Sequence, residues 1–253
     1  MITRAIQVEE APELVEVLRL SLPNELTPFT IYGGRGVVEF VRKQAEVSEC
    51  DSRYFCASDG TRMLAAAEFR VVPSGLFLNY IAARPEARGA GHGTQLIKTA
   101  LRVLAPDSAG QLGLDVFADN TAARGWYERL GFTELGESVW LTQETTPGGQ
   151  RYAVSGVAQA ELVHAKFGFS QLALVTPRGS VGLGRLGTGC FRVTSQADFD
   201  DERVVATCCA LDPRRVLLGI LPSDAQTKVQ PTRIVARSLR LTVGVNELCQ
   251  ALT

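Results

Sequence analysis

The segment Arg88-Gly89-Ala90-Gly91-His92-Gly93-Thr94 constrains this chain more than any other. It stands between a strand-like run, residues 76–83, and a segment at 93–105 whose Leu96, Ile97, Ala100, Leu101 and Leu104 recur at helical spacing. Glycines alternating through the connection predict a turn that enters the helix with little side-chain bulk. Such a turn aims several backbone N–H groups at one point beside the positive end of the helix dipole, which suits a phosphate or pyrophosphate. Glycine matters there because a side chain would hold the backbone away from an anion.

The flanking pattern predicts a mixed α/β sheet around this unit. Residues 2–7 read as a short strand, followed by a helix with Pro12 in its first turn and Leu14, Val17, Leu18 and Ser21 on one face. Leu22-Pro23-Asn24-Glu25-Leu26-Thr27-Pro28 ends that helix, and Gly33, Gly34 and Gly36 precede a second, at about 37–48. Strands near 53–58 and 62–72 are joined by the hairpin signal Ser58-Asp59-Gly60-Thr61. Strand 111–117 and a helix at 120–130 follow, the helix carrying Ala123, Trp126, Tyr127 and Leu130 on one face. Two strand pieces, 132–136 and 138–143, complete the order βααβββαβαββ.

Two motifs in this order carry a resemblance. Arg88-x-x-Gly91-x-Gly93 resembles the acyl-CoA pyrophosphate loop of the GCN5-related N-acetyltransferases, the GNAT superfamily. Asn120-x-x-Ala123-x-x-x-Tyr127-x-x-x-Gly131-Phe132 resembles that superfamily's later motif, on the helix after the next strand. The resemblance covers about residues 1–145. It implies that strand 76–83 splays from a parallel neighbour at 111–117, with pantetheine lying in the gap along Ile81, Ala82 and Ala83. Backbone N–H groups around Arg88, Gly89, Gly91, His92, Gly93 and Thr94 would hold the pyrophosphate, and one near Ile81 or Ala83 would polarise the thioester carbonyl. Asn120 would bond the pantetheine arm, and Tyr127 would protonate the leaving thiolate.

Beside these roles stand plainer readings. By periodicity alone Tyr127 is a core residue, Asn120 is a helix cap, and His92 is a spacer or phosphate neighbour rather than a base. The general base is the weakest point of the resemblance. The strand before the loop carries Asn79 and Tyr80 where family members often place an acid, so Glu68 and Asp115 are the substitutes, reached through water. Acceptor contacts are expected from Phe29, Tyr32 and Arg35, from Asn79, and from the last strand pair around Trp140.

Thr145-Thr146-Pro147-Gly148-Gly149-Gln150 reads as a linker, dividing an acetyltransferase domain at 1–145 from an α+β domain at 151–253 that carries no recognised motif, a degenerate second acetyltransferase-like half being one reading of it. Helices are expected near 155–166, 198–210 and 245–252, and strands near 171–176, 180–184, 189–194, 215–220 and 232–243. Gly182-Leu183-Gly184-Arg185-Leu186-Gly187 matches G-x-G-x-x-G, but strand-like residues follow it, so it reads as a glycine-bearing hairpin or bulge rather than a dinucleotide site.

Composition narrows the chemistry further. The net charge of −1 hides an asymmetry: residues 1–145 hold 14 Lys and Arg against 19 Asp and Glu, and the remainder hold 12 against 8. No run of like charge forms a nucleic-acid footprint, and no apolar run approaches the roughly 20 residues of a membrane span. Six cysteines without C-x-x-C spacing read as reduced and buried, and two histidines leave little for a metal site. The expectation is a cytoplasmic, acetyl-CoA-dependent N-acetyltransferase acting on the primary amine of a small molecule by direct transfer in a ternary complex. The second part would shape the acceptor site or make a homodimer contact. The alternatives are a non-catalytic acyl-CoA-binding module and an enzyme acetylating a protein amine or aminoacyl-tRNA.

Overall fold

The computed structural model describes residues 1–47, 49–105, 110–229 and 233–252. In chain order the first elements are β1 (Ile2–Ala5), α1 (Ala11–Arg19), α2 (Val37–Glu46), β2 (Ser52–Ser58), β3 (Met63–Val72), β4 (Gly75–Ala83), α3 (His92–Leu104), β5 (Gln111–Phe117), α4 (Thr121–Arg129) and β6 (Thr133–Gln143). The remainder are β7 (Ala153–Ser155), α5 (Val157–Phe167), β8 (Phe169–Thr176), β9 (Gly179–Leu186), β10 (Cys190–Val193), α6 (Gln196–Phe199), α7 (Glu202–Leu211), β11 (Val216–Pro222), β12 (Arg233–Gly244) and α8 (Val245–Ala251). The mixed α/β class is therefore as expected. The expected pieces 132–136 and 138–143 form the single strand β6, and the expected helix at 198–210 is broken at Asp200 into α6 and α7. Ser48 and Thr232, at the ends of an expected helix and strand, lie outside the described residues.

Two compact units are present, and they are interleaved along the chain rather than divided at 145–150. Unit 1 comprises Met1–Pro23, Val38–Gly136 and Leu239–Thr253; unit 2 comprises Asn24–Val37 and Glu137–Ser238.

In unit 1 the strand order is β1-β2-β3-β4-β5-β12-β6. β1 to β4 form an antiparallel meander, and β4 and β5 are parallel. The C-terminal residues of β12 thus take a place between β5 and β6 that no local sequence signal announces. The core packs α3, α4 and α8 against one sheet face, with Leu96, Ile97 and Leu101 meeting Leu76, Leu78, Leu112 and Leu114. Leu239, Leu241, Val243, Val245 and Leu248, all from the chain's last segment, belong to the same core. Each side chain of this size contributes about 1.5–3 kcal/mol when fully buried.

In unit 2 the order runs β12-β6-β11-β10-β9-β8-β7, again with an antiparallel meander and a parallel pair, β10 with β11. Leu172, Leu174, Leu183, Phe191, Phe199 and Leu217 centre its core. Gly182 and Gly184 lie within β9 and Gly187 in the turn that follows it, where no helix begins, so the G-x-G-x-x-G run is a strand entering a turn. The glycines at 33–36 have a structural reason here. A Cβ on Gly34 would come 2.5 Å from the Phe167 carbonyl oxygen and one on Gly36 2.0 Å from that of Lys166, so only glycine lets this segment lie against the end of α5.

Candidate functional site

The strand end and glycine loop expected to form the donor site lie together in unit 1, at the end of β4. β4 and β5 pair in parallel from Gly75↔Gln111 to Leu78↔Leu114 and no further, although β4 continues through Ala83 and β5 through Phe117. β4 keeps its antiparallel partners on β3 as far as Ala65↔Ala83. The β4–β5 pairing therefore ends where Asn79 begins. Asn79 is also the extra residue of a β-bulge, since Phe69 faces Leu78 and Glu68 faces Tyr80. Ile81, Ala82 and Ala83 line the unpaired stretch and are half-buried.

Beyond Ala83 the chain is tied down by Arg84. Its Nε donates to the Met63 carbonyl at 2.8 Å, and its guanidinium pairs with Glu16 at 2.6 Å and Glu13 at 3.3 Å on α1. A one-turn helix, Pro85–Ala87, then leads to the turn. Gly89 and Gly91 have φ of +77° and +79°, which L side chains adopt only with strain, and a Cβ on either would meet no protein atom within 4 Å. Gly91 is the N-cap of α3, and no side chain caps that terminus. Its first-turn N–H groups thus have neither intrahelical nor side-chain acceptors. These features fit a bound anion. Gly93 differs: a Cβ there would come 2.9 Å from the Trp126 ring, so it is glycine because α4 packs against it. His92 is 9% exposed and its Nδ1 lies 2.8 Å from Met1 Sδ.

Tyr127 is buried on α4, its ring centroid 4.8 Å from Trp126 and 5.3 Å from Phe132 in edge contact. Burial pushes its hydroxyl well above the usual phenol range. That hydroxyl makes no hydrogen bond among the described residues. Asn120 caps α4, its Oδ1 accepting from the Ala123 N–H at 3.2 Å.

The two carboxylates have different surroundings. Asp115 on β5 holds Arg240 of β12 through two parallel hydrogen bonds, that from Nη2 at 2.8 Å, and the guanidinium lies 4.9 Å from the Phe77 ring centroid. The pairing raises the Arg240 pKa. Glu68 is 1% exposed, and its Oε1 accepts from Asn79 Nδ2 at 2.9 Å, Ser52 Oγ at 3.3 Å and Arg70 Nε at 3.4 Å. Sequence reasoning placed Trp126 only on one face of its helix and missed Arg84 and Arg240. A lone arginine after a strand signals the first, but nothing local pairs residue 240 with residue 115.

Of the expected acceptor contacts, Asn79 belongs to unit 1, whereas Phe29, Tyr32, Arg35 and Trp140 belong to unit 2. Tyr32 is fully buried and Arg35 is exposed. Among the described residues no helix is long and apolar enough to cross a membrane.

A parallel strand pair thus parts beside an uncapped, glycine-entered helix, an arrangement in an α/β protein that suits an anionic ligand. The comparisons narrow this: residues 17–132 match the acetyltransferase (GNAT) family, whose members use acyl-CoA donors. A 62-residue stretch is 40% identical to the 5-NmdU N-acetyltransferase of Pseudomonas phage PaMx11, covering 24% of this chain and 42% of that protein. The chain thus matches less than half the length of this curated relative. The fold of nearly the whole chain resembles two crystal structures. One is a GCN5-related N-acetyltransferase from Sphaerobacter thermophilus, 15% identical over 96% of this chain and 95% of that one, with a TM-score of 0.58. The other is a provisionally named acetyltransferase from Pyrococcus horikoshii, 14% identical over 96% and 89%, with a TM-score of 0.64. At these identities the likeness is one of fold.

Proposed function

We propose that the chain is an acetyl-CoA-dependent N-acetyltransferase that acts on the primary amine of a small molecule by direct transfer in a ternary complex. The end of β4–β5 pairing at Leu78↔Leu114, beside the uncapped N-terminus of α3, carries this reading. The phage relative's name specifies N-acetyl transfer, which supports the reaction type.

Acetyl-CoA supplies the activated thioester carbonyl when bound. In this reading the backbone of Ile81, Ala82 and Ala83 pairs with the pantetheine amides as an added strand would, and an N–H there polarises the carbonyl. The turn from Arg88 to Thr94 holds the pyrophosphate with backbone N–H groups, Arg88 adding charge. Asn120 serves as cap and as a pantetheine contact. Tyr127 donates its proton to the departing sulfur. A phenol is neutral at physiological pH, the form a donor requires.

The acceptor amine must lose a proton as its nitrogen bonds to the carbonyl carbon and the carbon–sulfur bond breaks. Asp115 is already paired with Arg240, and Glu68 lies buried behind Asn79. The proton therefore leaves through water, while Glu68 orients the Asn79 amide. Because Glu68 takes the Nδ2 donor, the Asn79 carbonyl oxygen is left as an acceptor at the point where β4 and β5 part, suited to align an amine N–H. Thermal melting of the purified protein with acetyl-CoA tests the donor site. A rise in melting temperature that saturates is expected; no shift up to millimolar acetyl-CoA rejects the reading.

A further inference from the structure

Unit 2 repeats the frame of unit 1 without its donor site, and we infer that each chain binds a single acyl-CoA, in unit 1. This rests on the acyl-CoA reading of unit 1. The two frames are directly comparable. In each, an antiparallel meander leads to a parallel pair whose strands are joined through helix: β4–α3–β5 in unit 1, β10–α6–α7–β11 in unit 2. Each parallel pair has four registered positions, ending at Leu78↔Leu114 in the first and Val193↔Gly219 in the second.

Beyond the last registered pair the two units are opposite. β4 runs on for a further stretch that β5 does not pair, whereas β10 ends at Val193. Among the described residues β10 thus offers no stretch beyond its partner for pantetheine amides to bond. At the last registered position the face of β11 is covered by Phe199, which is fully buried. A Cβ on Gly219 would come 2.5 Å from its ring, so the ring lies directly on the β11 backbone.

The anion end is also reversed. The connection Thr194-Ser195-Gln196-Ala197-Asp198 contains no glycine, in place of the positive-φ turn at Gly89 and Gly91. Its helix termini are closed by side chains: Ser195 Oγ accepts from the Asp198 N–H at 3.1 Å, and Asp201 Oδ1 from the Arg203 N–H at 2.9 Å. One N–H that a phosphate would use at each terminus is thus already bonded. Asp198, Asp200 and Asp201 set negative charge where a diphosphate would approach. The neighbouring cation Arg178 is paired with two of them, Asp198 at 2.8 Å and Asp201 at 3.4 Å.

Calorimetric titration of the full chain with acetyl-CoA tests this directly, using wild type, Gly91→Asp, Arg88→Glu and the double variant Asp198→Asn/Asp201→Asn. One equivalent is expected for wild type and for the double variant. Gly91→Asp and Arg88→Glu should each lose at least tenfold in affinity, and Arg88→Glu leaves the glycine turn intact should Gly91→Asp fail to fold. Two equivalents in wild type, or one that both unit 1 variants retain at full affinity, overturns the inference. No binding to folded wild type instead rejects the acyl-CoA reading of unit 1, and this inference with it.

Discussion

Asn79 Nδ2 donates to Glu68 Oε1 at 2.9 Å, joining the bulge of β4 to a carboxylate that is almost wholly buried on β3. The bond dictates which way the Asn79 amide faces, because its carbonyl oxygen cannot lie against a carboxylate. If Glu68 orients rather than abstracts, Glu68→Gln frees the amide to turn over. The expected result is about a tenfold loss in kcat/KM for the amine, from one hydrogen bond of about 1.4 kcal/mol, with the KM for acetyl-CoA unchanged. The acidic limb of the pH–rate profile should keep its position. Disappearance of that limb in Glu68→Gln would make Glu68 the base.

The two glycines at the start of α3 are predicted to fail differently. Gly91→Ala places a Cβ in open space but at φ +79°, costing about 1–2 kcal/mol of strain. Gly93→Ala drives a methyl to 2.9 Å from the Trp126 ring and should lower stability by about 1–3 kcal/mol through overpacking. Adding Trp126→Leu should recover much of the loss from Gly93→Ala and none of that from Gly91→Ala. Denaturant melts of the single and double variants provide the comparison.

Unit 1 depends on the last residues of β12 and on α8 for part of its core. Leu241→Ala removes a buried side chain far in sequence from the motifs and is expected to cost about 2–5 kcal/mol. A chain ended before Leu239 should lose acetyl-CoA binding through unfolding of unit 1, although every motif residue is still present. Retention of a cooperative melt and of binding by that shortened chain would contradict the interleaved arrangement.

Tyr127 gives a pH signature. Burial raises its folded-state pKa above the unfolded value of about 10. Its contribution to stability is therefore complete below about pH 10 and is lost as pH rises beyond that value. Ultraviolet titration of wild type against Tyr127→Phe should show no difference in phenolate below about pH 10. A phenol ionising near its ordinary value would place Tyr127 in contact with solvent.

Much of the fold and site was legible in the sequence, and the division between what was and was not is physical. Helices and strands read from periodicity, such as 93–105 and 111–117, match α3 and β5 because side-chain spacing reports which face is buried locally. The glycine loop was legible because positive φ and close packing both demand glycine. Periodicity does not say which strand pairs with which. The insertion of β12 beside β5, the Arg240–Asp115 pair across 125 positions, and the seating of residues 24–37 in unit 2 could not be read for that reason. The same limit hid the surroundings of Glu68, whose neighbours come together only when β2, β3 and β4 align.

The decisive measurement is amine-dependent release of free thiol from acetyl-CoA, with the acetylated product identified by mass spectrometry. Primary amines of small molecules, peptides and aminoacyl-tRNA would be compared on wild type and Tyr127→Phe. Thiol release matched by N-acetyl product is expected for a small-molecule amine, with a loss of about 10²-fold or more in kcat for Tyr127→Phe and acetyl-CoA binding retained. Saturable acetyl-CoA binding with no thiol release above the rate in water, for any amine, would contradict the proposed transfer and leave a binding module.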